Sequence, residues 1–129
     1  MKSINRLAFL TLVVVGSLIL VQPVIAHHSG AGFNSAEVKE VTGTIKEFQF
    51  KNPHVWIQVL VRNAEGQEEE WSVEWGSPNV LARQGVRPST FPPGATVTMR
   101  VNPMLNGAPA GGFIGAKFAD GTSVGRWQE

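Results

Sequence analysis

The sequence predicts an all-β domain rolled into a small barrel, with one short helix. Three observations predict it. Apolar and polar residues alternate over five separate stretches, the signature of strands buried on one face. Turn-forming residues separate those stretches, among them Asn52-Pro53, Asn63 to Gly66 and Asp120-Gly121. Only one segment, Ser77 to Gly85, carries helix start and stop signals.

The first strand spans about Val38 to Phe50. Val41, Gly43 and Ile45 share a face, and the apolar phase then jumps to Phe48 and Phe50. A slip of one residue in a period of two is what a β-bulge produces, here near Lys46-Glu47. The second strand, His54 to Arg62, turns Val55, Ile57, Val59 and Val61 one way and Trp56, Gln58 and Leu60 the other. The third, Glu69 to Trp75, sets Trp71, Val73 and Trp75 inward against Glu70, Ser72 and Glu74. Its Glu68-Glu69-Glu70 run reads as a solvated hairpin edge that discourages sheet-to-sheet association.

In the helix Ser77 is placed to cap, Pro78 suits the first position, Val80 and Leu81 give an apolar side, and Gly85 ends it. A proline-stiffened connection follows. The fourth strand is Ala95 to Asn102, then a flexible loop from Pro103 to Gly112 carries Met104. Phe113–Phe118 and Thr122–Trp127 form the last hairpin across Asp120-Gly121. Three strands, a short helix and two further strands are the order of an OB-fold, so the expected architecture is a small closed or partly open OB-fold-like Greek-key barrel.

Residues 1–26 read as a signal peptide. Lys2 and Arg6 precede an apolar block from Leu7 to Val21, too short to span a bilayer comfortably, and small residues stand before a cut after Ala26. A cut after Ala31 also fits, and an uncleaved anchor is the alternative to both. Cleavage after Ala26 leaves 103 residues: an extended, mobile arm over 27–37, with Phe33 placed to pin it, and the barrel over 38–129. Such a domain buries roughly two-thirds of its unfolded surface. The expected location is periplasmic or secreted, with no stable membrane anchor after cleavage.

That mature chain carries nine basic against ten acidic residues, a balance that argues against nucleic acid, whose binding rests on phosphate neutralisation. The chain has no cysteine, which excludes disulfides, thiolate metal sites and a lipid anchor at the cut. Any metal would be held by His, carboxylate, Met or the terminal amine.

The three histidines define the metal hypothesis. A freed α-amine and imidazole on His27 chelate Cu(II), His28 adds a second ring, and His54 stands at a strand mouth within reach of the arm. Met104 adds a soft ligand for Cu(I). The plainer alternative is a loose terminus at His27 and His28, with His54 packed at the barrel edge. Among the aromatics, Trp71 and Trp75 read as core. Trp56 is the candidate exposed ring, forming a stacking platform with Phe48 or Phe50, or packing under the arm against Phe33. No nucleophile–base–orienter set can be named, so the chain reads as non-enzymatic.

His27-His28-Ser29 after a leader, Thr42-Gly43-Thr44, Asn52-Pro53-His54-Val55-Trp56, Glu74-Trp75-Gly76-Ser77-Pro78-Asn79 and Pro93-Gly94 before a Thr/Val strand resemble a family of small exported bacterial proteins of unknown function. The resemblance covers nearly all of the mature chain. It implies an exported OB-like barrel without assigned activity, and His27, His28 and His54 match the family's own motifs. The chain departs in the arm, where Gly30-Ala31-Gly32-Phe33 replaces a shorter run before the aromatic.

Together these readings give an exported, non-catalytic binding module of the cell envelope. Its expected ligand surface is His54, Trp56, Trp75, Ser77 and Asn79 with the Met104 loop, and its partner a small ligand or an envelope protein. The alternative is a periplasmic copper-handling protein using His27, His28 and His54.

Overall fold

A computed structural model describes residues 32–127. The expected leader and cut site, with His27 and His28, lie outside the described residues. The elements are β1 (Lys39–Gln49), β2 (Trp56–Arg62), β3 (Glu68–Glu74), α1 (Pro78–Arg83), β4 (Thr96–Pro103), β5 (Ala110–Phe118) and β6 (Ser123–Gly125). The sheet order is β3-β2-β1-β4-β5-β6, and a further pairing of β3 with β5 closes it. This is a five-stranded OB-fold-like barrel with one short helix and a small sixth strand on β5.

β1 makes closure achievable because it serves two neighbours. Lys39 to Thr44 pairs with β4, and Gly43 to Gln49 pairs with β2, both antiparallel. The register to β2 slips between Ile45 and Glu47, so Lys46 is the bulged residue the phase jump predicts. At this bend the Ile45 N–H donates to the Ala95 carbonyl (2.9 Å), and its carbonyl accepts from Gly94 N–H (2.8 Å), handing the strand over to β4. Gly43 sits at a close approach of β1 and β2: a Cβ there would stand 2.2 Å from the Leu60 carbonyl oxygen.

The alternating positions fill one core. Val41, Ile45, Ile57, Val59, Trp71, Val73, Val97, Met99 and Val101 are buried. Phe91, fully buried, enters this core from the connection between α1 and β4. A second cluster of Val55, Leu81 and Val86 lies under the helix, with Phe48, Phe50 and Trp75 packed on it. Burying large apolar side chains is the main favourable term in a domain this small.

Several expectations change in detail. Ser77 occupies the N-cap position, but its side chain makes no capping hydrogen bond. Only Leu81 of the expected apolar pair is buried; Val80 is 43 % exposed, because a six-residue helix has one inward stripe. The loop expected over Pro103 to Gly112 is shorter. Pro103 ends β4, and Ala110 to Gly112 already belong to β5, parallel to Ser72–Glu74. Glycine-rich composition reads as loop, whereas here the missing side chains let strands meet: a Cβ on Gly111 would lie 2.8 Å from the Asn102 carbonyl oxygen.

The arm residues 32–37 are held against the barrel. Asn34 N–H donates to the Pro103 carbonyl (2.8 Å), Leu105 N–H to the Gly32 carbonyl (2.9 Å), and the Asn102 side chain to the Glu37 carbonyl (2.7 Å). Phe33 bridges Met104 in antiparallel register. At the opposite end, the acidic run is engaged. Glu70 pairs with Lys46 and holds that ammonium above its ordinary pKa, and Glu69 accepts from the Trp71 indole N–H (3.0 Å).

Candidate functional site

The site grows from the corner between β1 and β2. The Asn52-Pro53 peptide bond is cis, and His54 follows it. Val55 is bonded at both its backbone groups to the end of β3, donating to Gly76 (3.0 Å) and accepting from Trp75 (2.9 Å). That anchorage carries His54 across to β3, where its Nδ1 meets Glu74 Oε1 at 2.7 Å. The imidazole is 30 % and the carboxylate only 11 % exposed. Holding the ring through Nδ1 fixes its orientation and assigns Nε2 to any further partner.

Cross-strand register builds a row around Glu74 on the outer face. Trp56 pairs with Glu74 on one side and Gln49 on the other. Glu74 pairs in turn with Gly112, and Gly112 with Asn102. Gly112 leaves a gap in that row, and the Phe33 ring fills it, 3.1 Å from where a Cβ would stand. A cavity of about 230 Å³ opens there, lined by Phe33, Glu74, Gly76, Asn102 and Gly112 and, from the barrel end, by Trp75 and Phe113. The result is a sheltered carboxylate–imidazole pair with Trp56 on one flank and Phe33 on the other.

The expected ligand surface is therefore divided. His54 and Trp56 lie together on the outer face. Trp75 points inward, its ring 4.3 Å from Phe113 and 6.4 Å from Phe91, and so belongs to the barrel end under the helix. Ser77 and Asn79 stand at the start of the helix, Asn79 exposed. Met104 is drawn to the arm, its Sδ 3.6 Å from where a Gly32 Cβ would lie.

The platform expected from Trp56 with Phe48 or Phe50 does not form. The bulge at Lys46 turns Phe48 inward, 5.1 Å from Phe91 and 5.8 Å from Phe50, so the neighbour of Trp56 on β1 is Gln49.

Glu74 is not among the expected ligand-surface residues, although it stands in the motif that carries the family resemblance. The signal for its role was available: alternation in β2 and β3 puts Trp56 and Glu74 on one outer face. Among the described residues no three His, Asp or Glu side chains come together as a metal site. The Ser72 hydroxyl, also on the outer face, donates to Gln58 (2.7 Å).

These features define an OB-fold-like barrel with a candidate binding site on the outer end of β2 and β3. The chain belongs to a family of unknown function, DUF6152, whose profile matches residues 8–113. No curated protein matches it. Among solved structures it is similar to Rim1, a mitochondrial single-stranded DNA-binding protein from S. cerevisiae, at 10 % identity and a TM-score of 0.48, covering 64 % of this chain and 93 % of that one.

The expectation that nucleic acid is no partner is not upheld: the similar structure just named is that of a single-stranded DNA-binding protein, and the likeness itself assigns no partner to this chain. The exclusion rested on whole-chain charge, which is blind to where charges lie. Residues 32–77 hold four Lys and Arg against eight Glu, a net of −4, while residues 78–127 hold five against one Asp, a net of +4.

Proposed function

We propose that the chain is an exported, non-catalytic binding module of the cell envelope, with its ligand surface at the outer end of β2 and β3. The observation that carries this reading is the His54–Glu74 pair, oriented at 2.7 Å, whose Glu74 is cross-strand neighbour to Trp56 and lines a cavity with Phe33. A fixed donor–acceptor pair flanked by aromatic rings gives orientation and contact area, the two properties a small binding site needs. Among the described residues the nearby Ser72 hydroxyl donates to Gln58. Export is supported by the leader pattern of residues 1–26.

The test is a ¹H–¹⁵N titration of the cleaved protein with soluble peptidoglycan fragments and with short peptides. The expected response moves the amides of Phe33, His54 and Glu74 and the Trp56 indole, and disappears in Glu74→Ala. A response that survives this substitution, or none with either ligand class, refutes the surface.

A second reading, copper handling, has its own support. The arm is fastened at Gly32 to Asn34, next to the cavity that Glu74 lines. Only five residue steps separate His27 from Gly32, roughly 16 Å of extended chain. In this reading His27, with its terminal amine, His28 and His54 supply nitrogen ligands, Met104 a thioether, and Glu74 orients the His54 ring. Calorimetric titration of Cu(II) into the cleaved protein and into one bearing an additional N-terminal residue decides it. Equal affinity removes the amine chelate.

A further inference from the structure

A second concavity lies at the same strand end and shares Trp75 with the first. Trp75 follows Glu74 and points the other way, into the barrel end. There a cavity of about 490 Å³ is lined by Trp75, Val86 and Val124, with Thr90, Ser123 and Arg126 among its polar members. Its volume falls within the range of roughly 300–1,000 Å³ typical of small-molecule sites. The indole is backed by Phe91 and Phe113, and Val86 belongs to the cluster under the helix, so the apolar floor is rigid.

The charge around this cavity is distinctive. Its lining residues other than Trp75 come from the half of the chain with net charge +4, yet the basic residues there are not equivalent. Arg87 donates to the Ala82 carbonyl (2.7 Å) and the Val86 carbonyl (3.0 Å), holding the connection together. Arg100 pairs with Glu40 at 2.8 Å and stacks on Trp127 at 4.2 Å. None of the ion pairs among the described residues involves Arg126, which is exposed and lines the cavity. The Thr90 hydroxyl accepts from Arg87 N–H (2.8 Å), so its own proton remains to be donated.

We infer that this cavity binds an amphiphile with one carboxylate: its apolar body on Trp75, Val86 and Val124, its head on Arg126. A single guanidinium matches a single planar carboxylate in charge and in its two-pronged geometry. The apolar lining takes the chain or ring attached to it, and Thr90 and Ser123 offer hydroxyl donors at the rim. This site shares Trp75 with the cavity beside Glu74 but uses neither His54 nor Glu74, and its failure would leave that reading untouched.

Octanoate serves as the probe and 1-octanol as its uncharged counterpart, each titrated into the ¹⁵N-labelled cleaved protein. Octanoate is expected to move the amides of Gly85, Val86, Thr90 and Ser123 to Arg126, and the Trp75 indole. Arg126→Gln, an exposed position where folding is not at risk, should weaken octanoate at least about tenfold, the loss of one charge-assisted contact. Arg126→Lys should retain most of the affinity at low salt. Octanol should bind at least about tenfold more weakly than octanoate. Equal binding of acid and alcohol, an unchanged affinity in Arg126→Gln, shifts gathered elsewhere, or no shifts at all would each overturn the assignment.

Discussion

Replacing Phe91 with alanine removes the ring against which Phe48 and Trp75, the side chains shared by both hydrophobic clusters, are packed. Phe91 is fully buried and has four aromatic neighbours: Phe48 at 5.1 Å, Phe118 at 5.4 Å, Phe113 at 5.9 Å and Trp75 at 6.4 Å. A buried Phe→Ala change costs about 3–5 kcal/mol through lost transfer energy and the cavity left behind. Edge-to-face ring pairs add about 0.5–1.5 kcal/mol each beyond their area, so the upper part of that range, about 4 kcal/mol, is expected. Domains of this size have about 5–15 kcal/mol in total, and the midpoint of thermal unfolding should fall by about 15 °C or more. Equilibrium urea unfolding followed by tryptophan fluorescence and far-ultraviolet dichroism measures the loss. Phe91→Leu, which keeps most of the volume, should cost about 1–2 kcal/mol. A loss below about 1.5 kcal/mol for Phe91→Ala would show that the ring does not plug the barrel.

Two further outcomes follow from single contacts. Gly43→Ala places a methyl group 2.2 Å from a backbone oxygen that cannot move without parting β1 from β2, so it should cost more than about 2 kcal/mol. Gly66→Ala, at φ 77° with open space around it, should cost about half as much or less; a reversed order in denaturant titrations would discredit the close-approach argument. Asp120 accepts from the Thr122 N–H (2.9 Å) and hydroxyl (2.7 Å), and these bonds hold its carboxyl below the ordinary value of 3.8. A depressed folded pKa means stability that is present above the unfolded value and lost as pH falls through the folded one. The stability advantage of wild type over Asp120→Asn should therefore shrink between pH 6 and pH 2, and a constant difference would sink the linkage.

Local pattern made much of this barrel legible. The five alternating stretches, the bulge at Lys46 and the Asp120-Gly121 turn depend on neighbours in sequence, and the structure has strands, a register slip and a hairpin at those places. What was not legible depends on distant partners. Phe91 sits in a proline-rich connection with no period, so nothing local marks it as core. Gly111 and Gly112 have loop composition, and only their pairing with β3, nearly forty residues earlier, makes them strand. Glu74 became part of the candidate site because the corner returns His54 to it from twenty residues away, and because Phe33 covers the gap at Gly112. Alternation sets Trp56 on the outer face, while a phase inversion on β1 puts Gln49 rather than Phe48 beside it.

The end of β3 shows why register matters more here than the identity of any one side chain. Glu74 and Trp75 are consecutive, and a strand turns consecutive residues to opposite faces. One therefore supplies a carboxylate to the outer row between Trp56 and Phe33, and the other an indole to the apolar barrel end. A slip of one residue would exchange them, driving the carboxylate in beside Phe91 and Phe113 and exposing the indole. Burying an unpaired carboxylate costs several kcal/mol, and the same slip would turn Trp71 and Val73 out of the core. The core on β3 and the two concavities at its end are thus fixed by a single register. The pairing of Ser72–Glu74 with Ala110–Gly112 locks that register from the side opposite β2. Closure of the barrel and placement of both candidate sites are consequently one structural event, for the strand pair that seals the cylinder also decides which of its last two side chains faces out.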